Sequence, residues 1–353
     1  MFGFINSSIF YNKMKSDIRI LVEGSRGKSG LVIALTNILY ERGEDSVGKI
    51  TGKETVVFRN GQKLVVERKD GKNTLIDREN EKIINDYRNV RFKIFENQAL
   101  SCYTMRVVHL VVNPQIVVIP NIRFEHQDKL GDDLYEIARS FAHNFKGVKK
   151  VITTENKKEV INIFDKYCSK YNVKLVVIGG SNEDIPSISS IELIDRVLKE
   201  VKVGGLSKKE KNNLRNDIKK AMGLRYSKLY DIWYFNGAKV NDIESSTNVF
   251  NYLKKMYPSK KFVFLCYLRD DRPERTESFI PFFDNLFKDN LVKRVYFTGS
   301  GLSHVKNSFK SVKDKKLTQK EVIDFCKKNK LVLFTAVNGV NEFIQKLEVM
   351  LED

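Results

Sequence analysis

Cysteine is scarce in this chain and widely scattered: Cys102, Cys168, Cys266 and Cys326 are the only four in 353 residues. No two of them form a Cys-x-x-Cys pair, so neither a zinc site nor a disulfide framework is indicated, and a reducing, cytosolic setting fits. Long apolar runs are missing too, since no stretch of about 18 apolar residues is present to cross a bilayer. The opening Met1–Phe10 has no basic segment ahead of its apolar residues, so it does not read as a signal peptide. Any membrane association would then come through a partner. Histidine is also rare, with four in the whole chain.

Positive charge, by contrast, is abundant. Lys and Arg number 62 against 44 Asp and Glu, a formal net charge of +18. That balance admits nucleic acid, an anionic membrane surface or a polyanionic substrate as partner. The basic residues are spread along the chain, however, with local concentrations at 208–220 and 306–320, and these read as solvated faces; no nucleic-acid partner is expected. At this length, with 42% hydrophobic residues, two domains with their own cores are expected.

The most informative stretch runs from the apolar strand at Ile18–Val22 into Gly24-Ser-Arg-Gly-Lys-Ser29. Two glycines let the backbone turn sharply and aim its N–H groups at a polyphosphate, Lys28 adds a cation, and the Ser29 hydroxyl can ligate magnesium. The next residues, 31–39, have helical apolar spacing and stop at Gly43, so the loop joins a strand to a helix. Val22 stands where the general phosphate loop has its first glycine. The short form Gly-[Ser/Thr]-x-Gly-Lys-[Ser/Thr] is the one seen in Mur ligases and folylpolyglutamate synthases. Gly24, Ser25, Arg26, Gly27, Lys28 and Ser29 are therefore candidate nucleotide-binding residues.

Further along, the pattern predicts a hairpin around Asn60–Gly61 and an alternating strand over 90–97 that ends on Glu96. Ligands of open α/β sheets gather at the carboxyl ends of strands, where an acidic metal ligand such as Glu96 would be useful. Residues 107–112 and 115–119 read as buried strands, the second leading into a loop that carries His126 with Asp128 nearby. An amphipathic helix follows, with Leu134, Ile137, Ala138, Phe141 and Phe145 on one face. Strands at 150–154 and 173–178 and helices near 191–201 and 208–222 continue an alternation that argues a mostly parallel, helix-covered sheet. The pattern restarts near 222–228. The expected organisation is a lead segment 1–16, an ATP-binding domain 17–224, and a smaller Rossmann-like α/β domain 225–353 with strands at 231–235, 262–267, 292–297 and 331–335.

Together these stretches resemble the CapB/PgsB family, the catalytic subunit of poly-γ-glutamate synthase and a relative of the Mur ligases. Besides the loop, the resemblance rests on Asn121-Ile-Arg-Phe-Glu-His-Gln-Asp128 with its following helix, on Phe235–Asn248, and on Cys266–Thr276. It runs in register from Ile18 to about Phe343. It implies a Mur-ligase-type fold with ATP and Mg2+ as cofactors and an acid–amino acid ligase activity that forms γ-glutamyl amide bonds through an acyl phosphate.

By the same resemblance, Lys28 and Ser29 would hold the β- and γ-phosphates and a first magnesium, Glu96 would ligate that magnesium, and His126 would hold a second. Asn121 would contact the nucleotide or phosphate region, Arg225 would point at the γ-phosphate, and Asn241 and Asp242 would reach the adenine or ribose. Lys28, His126 and Arg225 are thus the candidate catalytic residues. The implied partners are glutamate or another acidic amino acid, the growing polymer, and small integral-membrane subunits; an oligomer is left open. The implied location is cytoplasmic, peripheral on the inner face of the cell membrane. The helix at 137–143 has no lysine of the kind many Mur ligases carbamylate. Two other classes stay open at this point: a phosphate-loop NTPase acting on a polyanion, and a non-catalytic subunit of the same ancestry.

Overall fold

A computed structural model describes residues 17–51, 55–66, 76–98, 101–124, 127–179, 185–237, 240, 242–270, 279, 281–283, 285–286, 292–304, 311–313, 317–337 and 342–352. In chain order the first half carries β1 (Ile18–Val22), α1 (Lys28–Glu41), β2 (Ser46–Ile50), β3 (Thr55–Arg59), β4 (Gln62–Val66), α2 (Ile76–Asp86), β5 (Phe92–Glu96) and α3 (Cys102–Val112). There follow β6 (Ile116–Ile119), α4 (Gln127–Leu130), α5 (Leu134–Ala142), β7 (Lys150–Thr153), α6 (Lys158–Tyr171), β8 (Lys174–Val177), α7 (Ser189–Glu200) and α8 (Lys208–Met222). Among the described residues these strands form one sheet in the order β4-β3-β2-β5-β1-β6-β7-β8. Only the β2-β3 and β3-β4 pairs are antiparallel. The expected hairpin is there, turning at Asn60–Gly61 on the sheet's edge.

Central strands buried on both faces read as unbroken apolar runs, which is why they were legible: Ile20, Leu21 and Val22 of β1 and all of β6's Ile116–Ile119 are buried. The register around β1 positions the site. Val22 pairs with Glu96 on one side and with Val118 on the other, all three strands parallel. The chain leaves β1 to form β2 on the β5 side, whereas β5 is followed by β6 on the opposite side. The order in which the chain adds strands therefore reverses at β1, and in open α/β sheets ligands bind beyond the strand carboxyl ends at such a point.

One strand expectation fails. Residues 107–112 belong to α3, a helix whose buried positions are Met105, Val108, His109 and Val112. Its valines have strand propensity, but local chemistry decides otherwise. Ser101 and Thr104 form a reciprocal capping box at the N-terminus, and Asn113 closes the helix in the left-handed region with φ 47°. Context overrides propensity in such short runs.

The second half contains β9 (Arg225–Ser227), β10 (Ile232–Phe235), α9 (Ile243–Met256), β11 (Phe262–Leu268), β12 (Val292–Gly299), β13 (Ser311–Lys313), α10 (Gln319–Asn329), β14 (Val332–Val337) and α11 (Glu342–Glu352). Its sheet has the order β13-β12-β11-β14-β10-β9 and is parallel except at the β9 edge. The chain divides into two compact units: one holds residues up to Asn182 with Ser187–Leu214, the other Glu183–Pro186 with Arg215–Asp353. The division falls inside α8, whereas the sequence pattern placed it at 224/225. α8 has no buried residue at all, so no change of pattern marks the division within it.

The second unit's core is aromatic. Phe264 is fully buried, stacks on Phe334 with centroids 4.5 Å apart, and meets Phe250, Phe282 and Phe283 edge-on or tilted. Phe264→Ala should cost about 3–5 kcal/mol of stability by losing the buried ring and leaving a cavity. Urea unfolding of the variant checks this, with Val349→Ala on an exposed face of α11 changing the midpoint little.

Candidate nucleotide and metal site

At the end of β1, the Glu23 amide donates to the Val118 carbonyl at 3.0 Å, and the chain then turns out of the sheet. Gly24 (φ +104°) and Gly27 (φ +85°) both occupy backbone conformations that side chains disfavour. At Gly24 there is a second reason for glycine, because a Cβ there would lie 2.7 Å from the Asn121 carbonyl oxygen. Asn121 is the brace of the loop: its carbonyl accepts from Ser25 N at 3.0 Å, its Oδ1 accepts from Arg26 N at 3.0 Å, and its Nδ2 donates to Arg26 O at 3.2 Å. Arg123 N donates to Ser25 Oγ at 2.8 Å. The Asn121 amide is thus engaged by the Arg26 backbone and holds the shape of the loop.

Gly27 is the N-cap of the 14-residue α1, with no side chain capping it and no acidic residue in the first turn. Such an N-terminus carries unpaired backbone donors and the positive end of the helix dipole, a natural place for phosphate. Lys28 lies across the loop, its Nζ donating to Gly24 O at 2.6 Å and Ser25 O at 3.2 Å. Ser29, one residue on, donates its hydroxyl to both carboxylate oxygens of Glu96, at 3.1 and 3.0 Å. Glu96 also accepts from the backbone N of Thr51 at 3.0 Å.

Burial pushes the Glu96 carboxyl above the usual carboxylate range; the nearby Lys28 charge and the hydrogen bonds from Thr51 and Ser29 pull it back only partly. A buried carboxylate beside a serine hydroxyl is an oxygen donor set for a hard cation. Magnesium is commonly bound by one or two such groups, with phosphate oxygens and waters completing the octahedron, and the pair fits it. Among the described residues no group of three or more His, Cys, Asp or Glu side chains gathers as a cage.

The structure thus brings together Gly24, Ser25, Arg26, Gly27, Lys28, Ser29, Glu96 and Asn121, all in the first unit. His126 and Asn241 lie outside the described residues. Asp242 caps the N-terminus of α9, its Oδ1 accepting from Ser245 N at 2.8 Å. Arg225, on β9, donates to Glu352 at 2.6 Å and is about half exposed. Both belong to the second unit. Four neighbours of the site were not foreseen: Glu23, Thr51, Asn97 and His109. Only Glu23 left a signal, a lone charge between an apolar strand and the loop.

Residues 223–351 match the family model described as the poly-gamma-glutamate synthase CapB C-terminal domain. The chain is 25% identical over 175 residues to the capsule biosynthesis protein CapB of Bacillus anthracis, covering 46% of this chain and 36% of that one. It thus aligns with about a third of that relative's length. It is 22% identical over 277 residues to the PGA synthase CapB of Bacillus subtilis, covering 74% of this chain and 70% of the relative. In three dimensions it resembles the bifunctional folylpolyglutamate synthase/dihydrofolate synthase of Yersinia pestis complexed with AMPPNP and Mn ion. That match has TM-score 0.60 and 14% identity, and covers 95% of this chain and 88% of the other.

Because Glu96 holds its proton more tightly in the folded chain, its ionisation costs stability as pH rises above the ordinary carboxylate range, fully so above its raised value. Metal-free Glu96→Gln should therefore melt higher than the parent at about pH 8 and nearly level with it at about pH 4. Magnesium with a non-hydrolysable ATP analogue should raise the parent's Tm more than the variant's. Parallel melting curves across pH would show that burial of this carboxylate carries no such cost.

Proposed function

We propose that this chain, similar to the CapB poly-γ-glutamate synthases in sequence, is an ATP-dependent acid–amino acid ligase joining glutamate, or a related acidic amino acid, through γ-amide bonds. The observation that carries the reading is the short phosphate loop with Ser29 held against the buried Glu96 at the point where the strand order reverses.

A carboxylate is a poor electrophile and must be activated before an amine can attack it. In the proposed sequence the γ-carboxylate oxygen attacks the γ-phosphorus of ATP, releasing ADP and leaving an acyl phosphate. The amine of the second reactant then attacks the acyl carbon, phosphate leaves with the oxygen that made the attack, and the nitrogen loses a proton. Both steps concentrate negative charge at the phosphoryl group, so cations and N–H donors must be arranged around it beforehand. Lys28 and the first turn of α1 supply them, while Asn121 keeps the loop in shape. Ser29 and Glu96 would hold magnesium, whose chemistry when bound is to neutralise phosphate oxygens.

The roles carried by resemblance complete the proposal: His126 at a second magnesium near the acceptor, Arg225 toward the γ-phosphate, and Asn241 and Asp242 toward the adenine or ribose. Arg225 would exchange Glu352 for phosphate. Among the described residues no helix is long and apolar enough to cross a membrane. By the same resemblance, small integral-membrane partners would hold the chain at the inner face of the membrane for polymer export, and the net charge of +18 would favour a polyanionic product.

A phosphate-release screen with ATP, magnesium and a panel of amino acids and short glutamyl peptides tests the reading. Acidic amino acids should stimulate release, and Lys28→Ala should lower kcat by roughly 100- to 1000-fold while leaving the melting curve intact. Release stimulated by nucleic acid and by no amino acid would overturn the proposal. The isolated chain should elongate polymer weakly; long chains made without membrane would remove the need for partners.

A further inference from the structure

Glu23 is fully buried, although it stands between the apolar strand β1 and the phosphate loop. Its Oε2 accepts from Asn97 Nδ2 at 3.0 Å and is bonded to His109 Nε2 at 2.9 Å. Its Oε1 has no hydrogen-bond partner among the described residues. Asn97 and His109 are buried as well, at 1% and 8% exposure. A carboxylate withdrawn from water beside a polyphosphate site bears a desolvation cost and a repulsion that an apolar side chain would avoid. Stability alone is a weak reason to keep such a group.

Its connections supply a different reason. Glu23 directly precedes Gly24, the first residue of the loop, and Asn97 directly follows Glu96. The backbone repeats the link, Asn97 N donating to Val22 O at 2.8 Å. One carboxylate oxygen therefore couples the two chain segments that present Ser29 and Glu96 to each other, and His109 of α3 fixes that oxygen from a third element. The contact between Ser29 and Glu96 is short enough that a small slip of either segment would separate them.

We propose that Glu23 is a positioning residue, with Asn97 and His109 as its anchors, that sets the offset between the phosphate loop and the end of β5 so that Ser29 and Glu96 can share one divalent cation. The inference rests on the proposed nucleotide–metal site but not on the identity of the amino acid used. It concerns alignment of the cation's ligands and leaves the loop's own grip on phosphate to Lys28, Asn121 and α1.

Binding of a fluorescent ATP analogue to the full chain, titrated with magnesium and repeated in EDTA, reads the two contributions separately. Glu23→Ala should raise the magnesium needed for half-maximal binding by up to roughly 10- to 100-fold, the range for removing a direct partner of a metal ligand, since Glu23 acts on Glu96 through its neighbour Asn97. Metal-free binding should stay within about threefold, a free-energy change well under 1.4 kcal/mol. Glu23→Gln should recover most of the loss, because the amide can keep its oxygen on Asn97 and His109 and place its nitrogen where Oε1 has no bond. If Glu23→Ala does not fold, Asn97→Ala carries the test, since it removes the Asn97–Glu23 bond while leaving the Glu23–His109 bond in place, and should give the same magnesium shift. Parent-like magnesium dependence in the folded variants, or an equal loss with and without metal, would overturn the proposal. Magnesium-dependent nucleotide binding with no amino acid-stimulated release would instead refute the ligase reading and leave this one standing.

Discussion

A carboxylate buried beside a serine hydroxyl at the mouth of a parallel sheet is the interaction on which the rest of this structure turns. Glu96 is 6% exposed, and its charge is disfavoured where it sits. A cation bound between Ser29, Glu96 and a phosphate, as proposed, would lift that penalty. Several features of the first unit serve this pairing. The register of β1 between β5 and β6 brings Val22 level with Glu96, Gly24 allows the backbone to pass against Asn121, and α1 begins where a phosphate would lie.

The same pairing explains which parts of the site could be read in advance. Gly24, Gly27, Lys28 and Ser29 form a contiguous pattern whose geometry demands those residue types, and Glu96 ends a strand of clear alternation. The central strands were equally visible, since burial on both faces leaves little room for polar residues. What stayed hidden is long-range. Glu23 meets Asn97 and His109 across 74 and 86 residues, and a single charge after a strand is ordinarily a solvated one. His109 was obscured further because its valine-rich surroundings carry strand propensity, while the capping residues Ser101 and Thr104 make them a helix.

The second unit presents the reverse situation. Its strands β10, β11, β12 and β14 were legible from the apolar runs, and its match to the CapB C-terminal domain stands independently of the loop. Its candidate site residues were not placed by the fold in the same direct way. Asp242 serves as a helix cap and Arg225 as the partner of Glu352. The Arg225–Glu352 pair is exposed and of the kind that exchanges at modest cost, whereas the Asp242 cap is part-buried and holds the start of α9. The first unit therefore brings its candidate residues into one cluster, whereas in the second Arg225 would have to leave Glu352 for its proposed role.

In the proposed reaction a carboxylate is activated by phosphoryl transfer before amide formation. Isotope transfer tests it most directly. Glutamate labelled with 18O in its γ-carboxyl group would be supplied with ATP, magnesium and the chain, and the released phosphate analysed by mass spectrometry. Activation through an acyl phosphate requires one labelled oxygen to pass from the carboxyl group into each phosphate formed. Phosphate released at the same rate but without label would show that ATP is hydrolysed by water and would contradict the ligase account.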